Sequence, residues 1–192
     1  MHACQKILVP VKEFRYNRNT LTPSMKIRAL LFLPLLLASC SIFGKLSEVE
    51  YNNKIVERMN LVSTTIEESA TLYHETVPNP VRENSEIEVT QMNLSYAEAS
   101  KALDEVENLL LLESRNIEQQ NSVQTELKTY QSAASEYLSS YKEMLAYYES
   151  GAFKEDLDPV ESLDEELHTN YTTFIQANND FVDVLESHMS SN

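Results

Sequence analysis

Glycine is almost missing from this chain. There are two among 192 residues, where an average composition would give roughly 7%. Glycine supplies the positive-φ backbone of tight turns and bulges. A hairpin-rich all-β fold is therefore excluded, and long helices with few connections are favoured. Cysteine is equally sparse: Cys4 and Cys40 are the whole complement. Neither a disulfide framework nor a cysteine metal site is available after residue 40, and without Cys-x-x-Cys-His covalent haem is excluded. Basic charge is the third deficit. The net charge is −15, and six of the fifteen Lys and Arg residues fall in the first forty positions beside a single acid, Glu13. The segment after Cys40 has nine bases and twenty-nine acids, a net of −20. Nucleic-acid binding needs a basic footprint, and none is present. The same field repels an anionic bilayer surface.

Long apolar runs are also missing. The longest, Ala29 to Ala38, holds ten residues and is broken by Pro34. A membrane-spanning helix needs about 20, but a run of this length fits the core of a signal peptide. It is preceded by a basic head, Lys26 and Arg28, and followed by Leu37-Ala38-Ser39-Cys40. In that order, Met25 to Cys40 resembles the signal peptide and lipobox of bacterial lipoproteins. Leu37 stands for the branched aliphatic, Ala38 and Ser39 for the small pair before the cut, and Cys40 for the lipid-bearing thiol. The resemblance implies cleavage between Ser39 and Cys40 and diacylglyceryl, palmitate-type acylation of Cys40. The residue after the cysteine is Ser41 and not Asp, which implies the outer membrane, on its periplasmic face, in a double-membraned bacterium. Residues 1–24 show no sustained apolar period. They read as a leader extension or as a start-site miscall, and the second is preferred because Met25 to Arg28 already makes a complete basic head.

The expected division is therefore residues 1–24 as that extension, 25–39 as signal peptide, 40–44 as lipidated cysteine and tether, and 45–192 as a four-helix domain. Cleavage would leave 153 residues, enough for a core without staples. Four apolar stripes at helical spacing support the division. The first helix is expected over Lys45–Val77, with Ile55, Met59, Val62, Ile66, Ala70, Tyr73 and Val77 on one face; Pro78-Asn79-Pro80 stops it. Ser85-Glu86-Ile87-Glu88 reads as a capping box opening a second helix through Val89, Met92, Tyr96, Ala99, Leu103, Val106 and Leu110. A turn is placed at Ser114-Arg115-Asn116, with Asn116 and Gln119 as a cap pair. Without it, one helix from Ser85 to Ser150 would run ~100 Å, too long for one bundle. Helix three carries Val123, Leu127, Tyr130, Ala134, Tyr137, Tyr141, Met144 and Tyr148, and Gly151 is its C-terminal cap. Asp158-Pro159 is expected to cap helix four, which continues through Leu163, Leu167, Tyr171, Phe174, Asn178, Phe181, Leu185 and His188. The fold class is all-α, an up-down-up-down four-helix bundle with short loops.

Motifs for chemistry are few. There is no phosphate loop, Gly-x-Ser-x-Gly or zinc-protease pattern, so no catalytic residue is assigned. Glu165 and His168 form one Glu-x-x-His, where di-iron bundles use two with further inward glutamates. A structural histidine is the simpler reading of His168, and no metal or cofactor is assigned. Met59 on a helical stripe reads as core filler and not as a haem ligand partnered by histidine. Tyr137 and Tyr141 share a face with Tyr130 and Tyr148, beside Tyr147. They are candidates for lining a small-ligand cavity, against a default of core packing. The seven acids between Glu155 and Glu166 read as a solvated loop and a favourable first helical turn; the EF-hand spacing is missing. Tyr51-Asn52-Asn53, followed by Ile55 and Asn60, resembles the YiiG-like helical lipoproteins, which implies a helical envelope protein and no specific site. The expected function is non-enzymatic binding or structural work by a lipid-anchored envelope protein, with the membrane and an envelope protein as partners. The alternative is a periplasmic metal- or haem-binding bundle.

Overall fold

Four amphipathic stripes leave four helices one economical arrangement, each burying its stripe against the others. The computed structural model describes the backbone over residues 48–113 and 121–191 and the side chains over 53–108 and 123–187. The signal segment, Cys40, the turn at 114–116 with Asn116 and Gln119, and the side chain of His188 lie outside the described residues. Among the described residues there are four α-helices, in chain order α1 (Glu48–Thr76), α2 (Thr90–Glu113), α3 (Asn121–Glu149) and α4 (Asp158–Ser191). No strand occurs among the described residues.

The stripes are the core. Every member of the α1 and α3 stripes is buried, as are Met92, Ala99, Leu103 and Val106 of α2 and Leu167, Phe174, Asn178, Phe181 and Leu185 of α4. Contacts fix the directions of the chain. Arg58 of α1 donates to Glu105 of α2, and Tyr73 of α1 reaches Asp164 of α4 while Ser63 reaches Asn178, so α1 runs antiparallel to both. Ser63 meets Tyr130 and Ser69 meets Tyr137, so α1 and α3 run parallel. That is the up-down-up-down order. The backbones of α1 and α2 approach closely, as do those of α3 and α4. Between the two hairpins, α2 approaches α3 less extensively, and side-chain hydrogen bonds tie α1 to α3 and α4.

Two helix starts differ from expectation. The capping box at Ser85 does not open α2. Ser85 Oγ accepts the backbone N–H of Arg82, and the Ser85 N–H returns to the Arg82 carbonyl, closing a turn before any helix begins. Glu88 accepts the N–H of Thr90 instead, and the donors of Thr90 hold its carboxyl below the usual range. The first helical bond runs from Asn93 to the Val89 carbonyl. At α4 the capping side chain is Asp156, whose Oδ1 accepts the Asp158 N–H at 3.0 Å; Asp158 itself already lies in the helix. The first loop, residues 77–89, is longer than the short connection expected.

Gly151 ends α3 with φ +72°, and its N–H returns to the Tyr148 carbonyl. After it, a 3-10 turn at Ala152–Lys154 places buried Phe153 edge-on against Tyr148. A Cβ at Gly151 would meet nothing within 4 Å, so the effect of Gly151→Ala is the left-handed backbone alone. We expect a loss of about 1 kcal/mol, read as a melting temperature lower by a few degrees.

Candidate functional site

The last turns of α1 and the first turns of α4 meet at one end of the bundle, roofed by the loop after α1. They enclose a cleft of about 550 Å³. α1 contributes Tyr73, His74 and Glu75; the loop contributes Val77, Pro78, Asn79, Pro80 and Val81; Leu157 and α4 contribute Val160, Glu161, Asp164 and His168. The lining is mixed: Val77, Pro78, Pro80, Val81, Leu157 and Val160 are apolar, and His74, Glu75, Asn79, Glu161, Asp164 and His168 are polar.

Tyr73 is buried, and its hydroxyl donates to Asp164 Oδ1 at 2.8 Å. Its one proton is committed there, and Tyr148 lies beside it. Burial, then the Asp164 charge and Tyr148, push the Tyr73 hydroxyl far above its ordinary pKa. Burial likewise raises Tyr148, to about 12. His74 packs edge-on against Tyr73 with centroids 5.3 Å apart. Desolvation lowers its pKa, opposed by Asp164 and assisted by His168. The His74 imidazole is therefore neutral at pH 7 and does not neutralise Asp164.

The end carrying the cleft is strongly acidic. Residues 74–89 and 149–166 contain twelve carboxylates against Arg82 and Lys154, a net of −10. Of the acidic run, Asp164 is half-buried in the cleft while Glu155, Asp156, Asp158, Glu161, Glu165 and Glu166 are exposed.

The residues singled out by sequence fall in different places. His168 lines the cleft, but Glu165 is exposed and does not. One helical step of about 100° separates Glu165 from Asp164, and Asp164 with His168, four residues apart, shares the inward face. Among the described residues no group of three His, Cys, Asp or Glu is placed to hold a metal ion. Tyr137 and Tyr141 are core residues and do not line the cleft. Tyr137 donates to Ser69 Oγ at 2.9 Å, since the Ser69 proton goes to the Ile66 carbonyl. The Tyr141 hydroxyl is buried without a protein partner, 5.8 Å ring to ring from Tyr137. Tyr147 lies apart, its hydroxyl donating to the Asp156 carbonyl. Met59 is buried in the core, and its carbonyl accepts from Tyr130. The grouping of Tyr73, His74, Asp164 and His168 joins positions 91 residues apart in sequence, and only the shared helical stripes hinted that Tyr73 would face α4. No protein family, curated protein or solved structure matches the chain.

Proposed function

We propose that this chain is a lipid-anchored protein of the cell envelope that works by binding rather than catalysis. The observation that carries the reading is the order of residues 25–40: basic head, ten-residue apolar run, Leu37-Ala38-Ser39-Cys40. Acylated Cys40 is the membrane attachment. One acyl chain anchors only marginally at ~0.8 kcal/mol per buried CH₂, whereas two or more hold stably. No helix among the described residues is long and apolar enough to cross a membrane, and the domain's acidity gives it no electrostatic hold on an anionic bilayer. Ser41 after the cysteine directs it to the periplasmic face of the outer membrane in a double-membraned cell.

The arrangement suits a binding role. Helix α1 begins eight residues after Cys40 and rises about 1.5 Å per residue, so Tyr73 sits roughly 38 Å from its start. An anchor at Cys40 leaves the cleft at the far end, where an envelope partner meets it. In cells, Cys40→Ser should abolish incorporation of labelled palmitate and shift the protein from the detergent phase to the aqueous phase. Detergent partitioning equal to that of the unsubstituted chain would refute the anchor.

A further inference from the structure

We propose that the cleft binds an organic cation: an ammonium or guanidinium group on a short apolar body, with its head on the Asp164 carboxylate. The inference rests on the binding role proposed above but not on the anchor.

Three features select that chemistry. First, Tyr73 occupies only Oδ1 of Asp164 and, by fixing it, aims the carboxylate. A carboxylate is acceptor-only and takes up to about four hydrogen bonds, so lone pairs remain for a charged donor. Charge-assisted bonds of this kind are the strong ones. Second, His74 beside it does not supply a positive charge. His74 faces Tyr73 and Glu75 on its own helix and Asp164, His168 and Glu161 across the cleft, and its pKa is held below the ordinary value. Third, apart from Asn79 the remaining walls (Val77, Pro78, Pro80, Val81, Leu157 and Val160) are apolar and suit an alkyl chain. A ligand that is all charge would leave this surface wet.

Other ligand classes fit less well. An anion would meet Asp164 inside and a field of net −10 around the mouth. A metal ion would need a third convergent ligand that the described residues do not provide. The surrounding acids add long-range attraction for a cation and speed its arrival, an effect that salt screens over a Debye length of about 8 Å at physiological ionic strength. The Asp164 contact inside the cleft is screened far less.

Agmatine, which carries a guanidinium and an ammonium on a four-carbon chain, is the probe. It is titrated calorimetrically into the full chain in detergent at physiological salt. One saturable site is expected, weakened on the order of tenfold or more by Asp164→Asn and little changed by Glu86→Gln, an acid at the same end but outside the cleft. Asn retains an acceptor for Tyr73, so the fold survives, and helical circular dichroism checks that it does. Equal weakening by both substitutions, or no saturable binding at physiological salt, would overturn the proposal in favour of a diffuse acidic surface. A second arm uses a short peptide with one central arginine. Peptide binding tighter than agmatine and lost in Asp164→Asn identifies the cation as a partner protein's side chain; agmatine binding at least as tightly identifies a free amine. Either result supports the cleft as a cation site. Calorimetry on the solubilised chain does not read Cys40, so failure here and failure of the anchor are separate results.

Discussion

Raising the pH above 10 is expected to unfold the bundle in a single step within about two pH units. Five tyrosines, Tyr73, Tyr130, Tyr137, Tyr141 and Tyr148, are buried. Burial raises the pKa of each above the ordinary 10.0, to about 12 for Tyr148 and further for the others. Proton binding sets the sign. Below pH 10 both folded and unfolded chains hold these protons, and the neutral hydroxyls contribute their full stabilisation. Between 10 and the folded pKa only the folded chain holds them, so stability falls by about 1.4 kcal/mol per pH unit for each tyrosine. Five together remove roughly 7 kcal/mol per unit, against a domain stability of about 5–15 kcal/mol. Helical circular dichroism and tyrosinate absorbance, followed on one alkaline titration, should therefore change together for these five tyrosines. If more than half of the tyrosinate signal developed while the helices stayed intact, the core tyrosines would be ionising in place, and their burial would be wrong.

That sensitivity was legible in part. The 3-and-4 spacing of Tyr130, Tyr137, Tyr141 and Tyr148 places them on one face, and a face of that kind in a four-stripe sequence points inward. The α1 and α3 stripes transferred to the structure residue by residue because period is a property of the whole segment and does not depend on any single contact. The helix ends were less legible because they depend on which local donor wins. Ser85 and Glu88 have the spacing of a capping box, but the Arg82 N–H reaches Ser85 Oγ first and the turn closes there. At α4, Asp156 caps in place of Asp158, a competition between two identical side chains two residues apart. The cleft was the least legible feature. Its floor requires Tyr73 and Asp164 to meet across the bundle, and the sequence drew attention to Glu165 because of its spacing to His168. Asp164, four residues before His168, was the residue on the right face.

Tyr130→Ala is expected to lose about 3–5 kcal/mol, much of the stability of a domain this size, and Tyr130→Phe about 1–2 kcal/mol. The gap between them separates packing from hydrogen bonding. The ring is fully buried and lies 5.3 Å from Phe174 and 6.4 Å from Phe181, so alanine opens a cavity at the junction of α1, α3 and α4. The hydroxyl donates to the Met59 carbonyl at 3.1 Å and lies 3.0 Å from Ser63 Oγ, which is itself 3.0 Å from the Asn178 amide. Proton counting orders this chain. If Ser63 donates to Asn178 Oδ1, Asn178 Nδ2 is left buried with two protons and no acceptor. If the amide turns over, Nδ2 donates to Ser63, Ser63 to Tyr130 and Tyr130 to Met59, and each hydroxyl proton is used. Only a carbonyl oxygen then lies at the vacant position, and an under-satisfied oxygen is tolerated better than an orphaned N–H. Removing the Tyr130 hydroxyl therefore takes the acceptor from Ser63 as well. Ser63→Ala should cost about 1–3 kcal/mol, and the double variant with Tyr130→Phe should cost less than the two singles added, with a coupling of about 0.5–3 kcal/mol. Additive losses in urea unfolding would mean that the two hydroxyls do not share a chain. With Ser69–Tyr137 and Tyr73–Asp164, this chain makes three polar ties across the two hairpins at successive levels of α1. A one-turn slip of α1 would break all three together, including the tie that aims Asp164 into the cleft. The core network thus holds the register on which the geometry of the cleft depends.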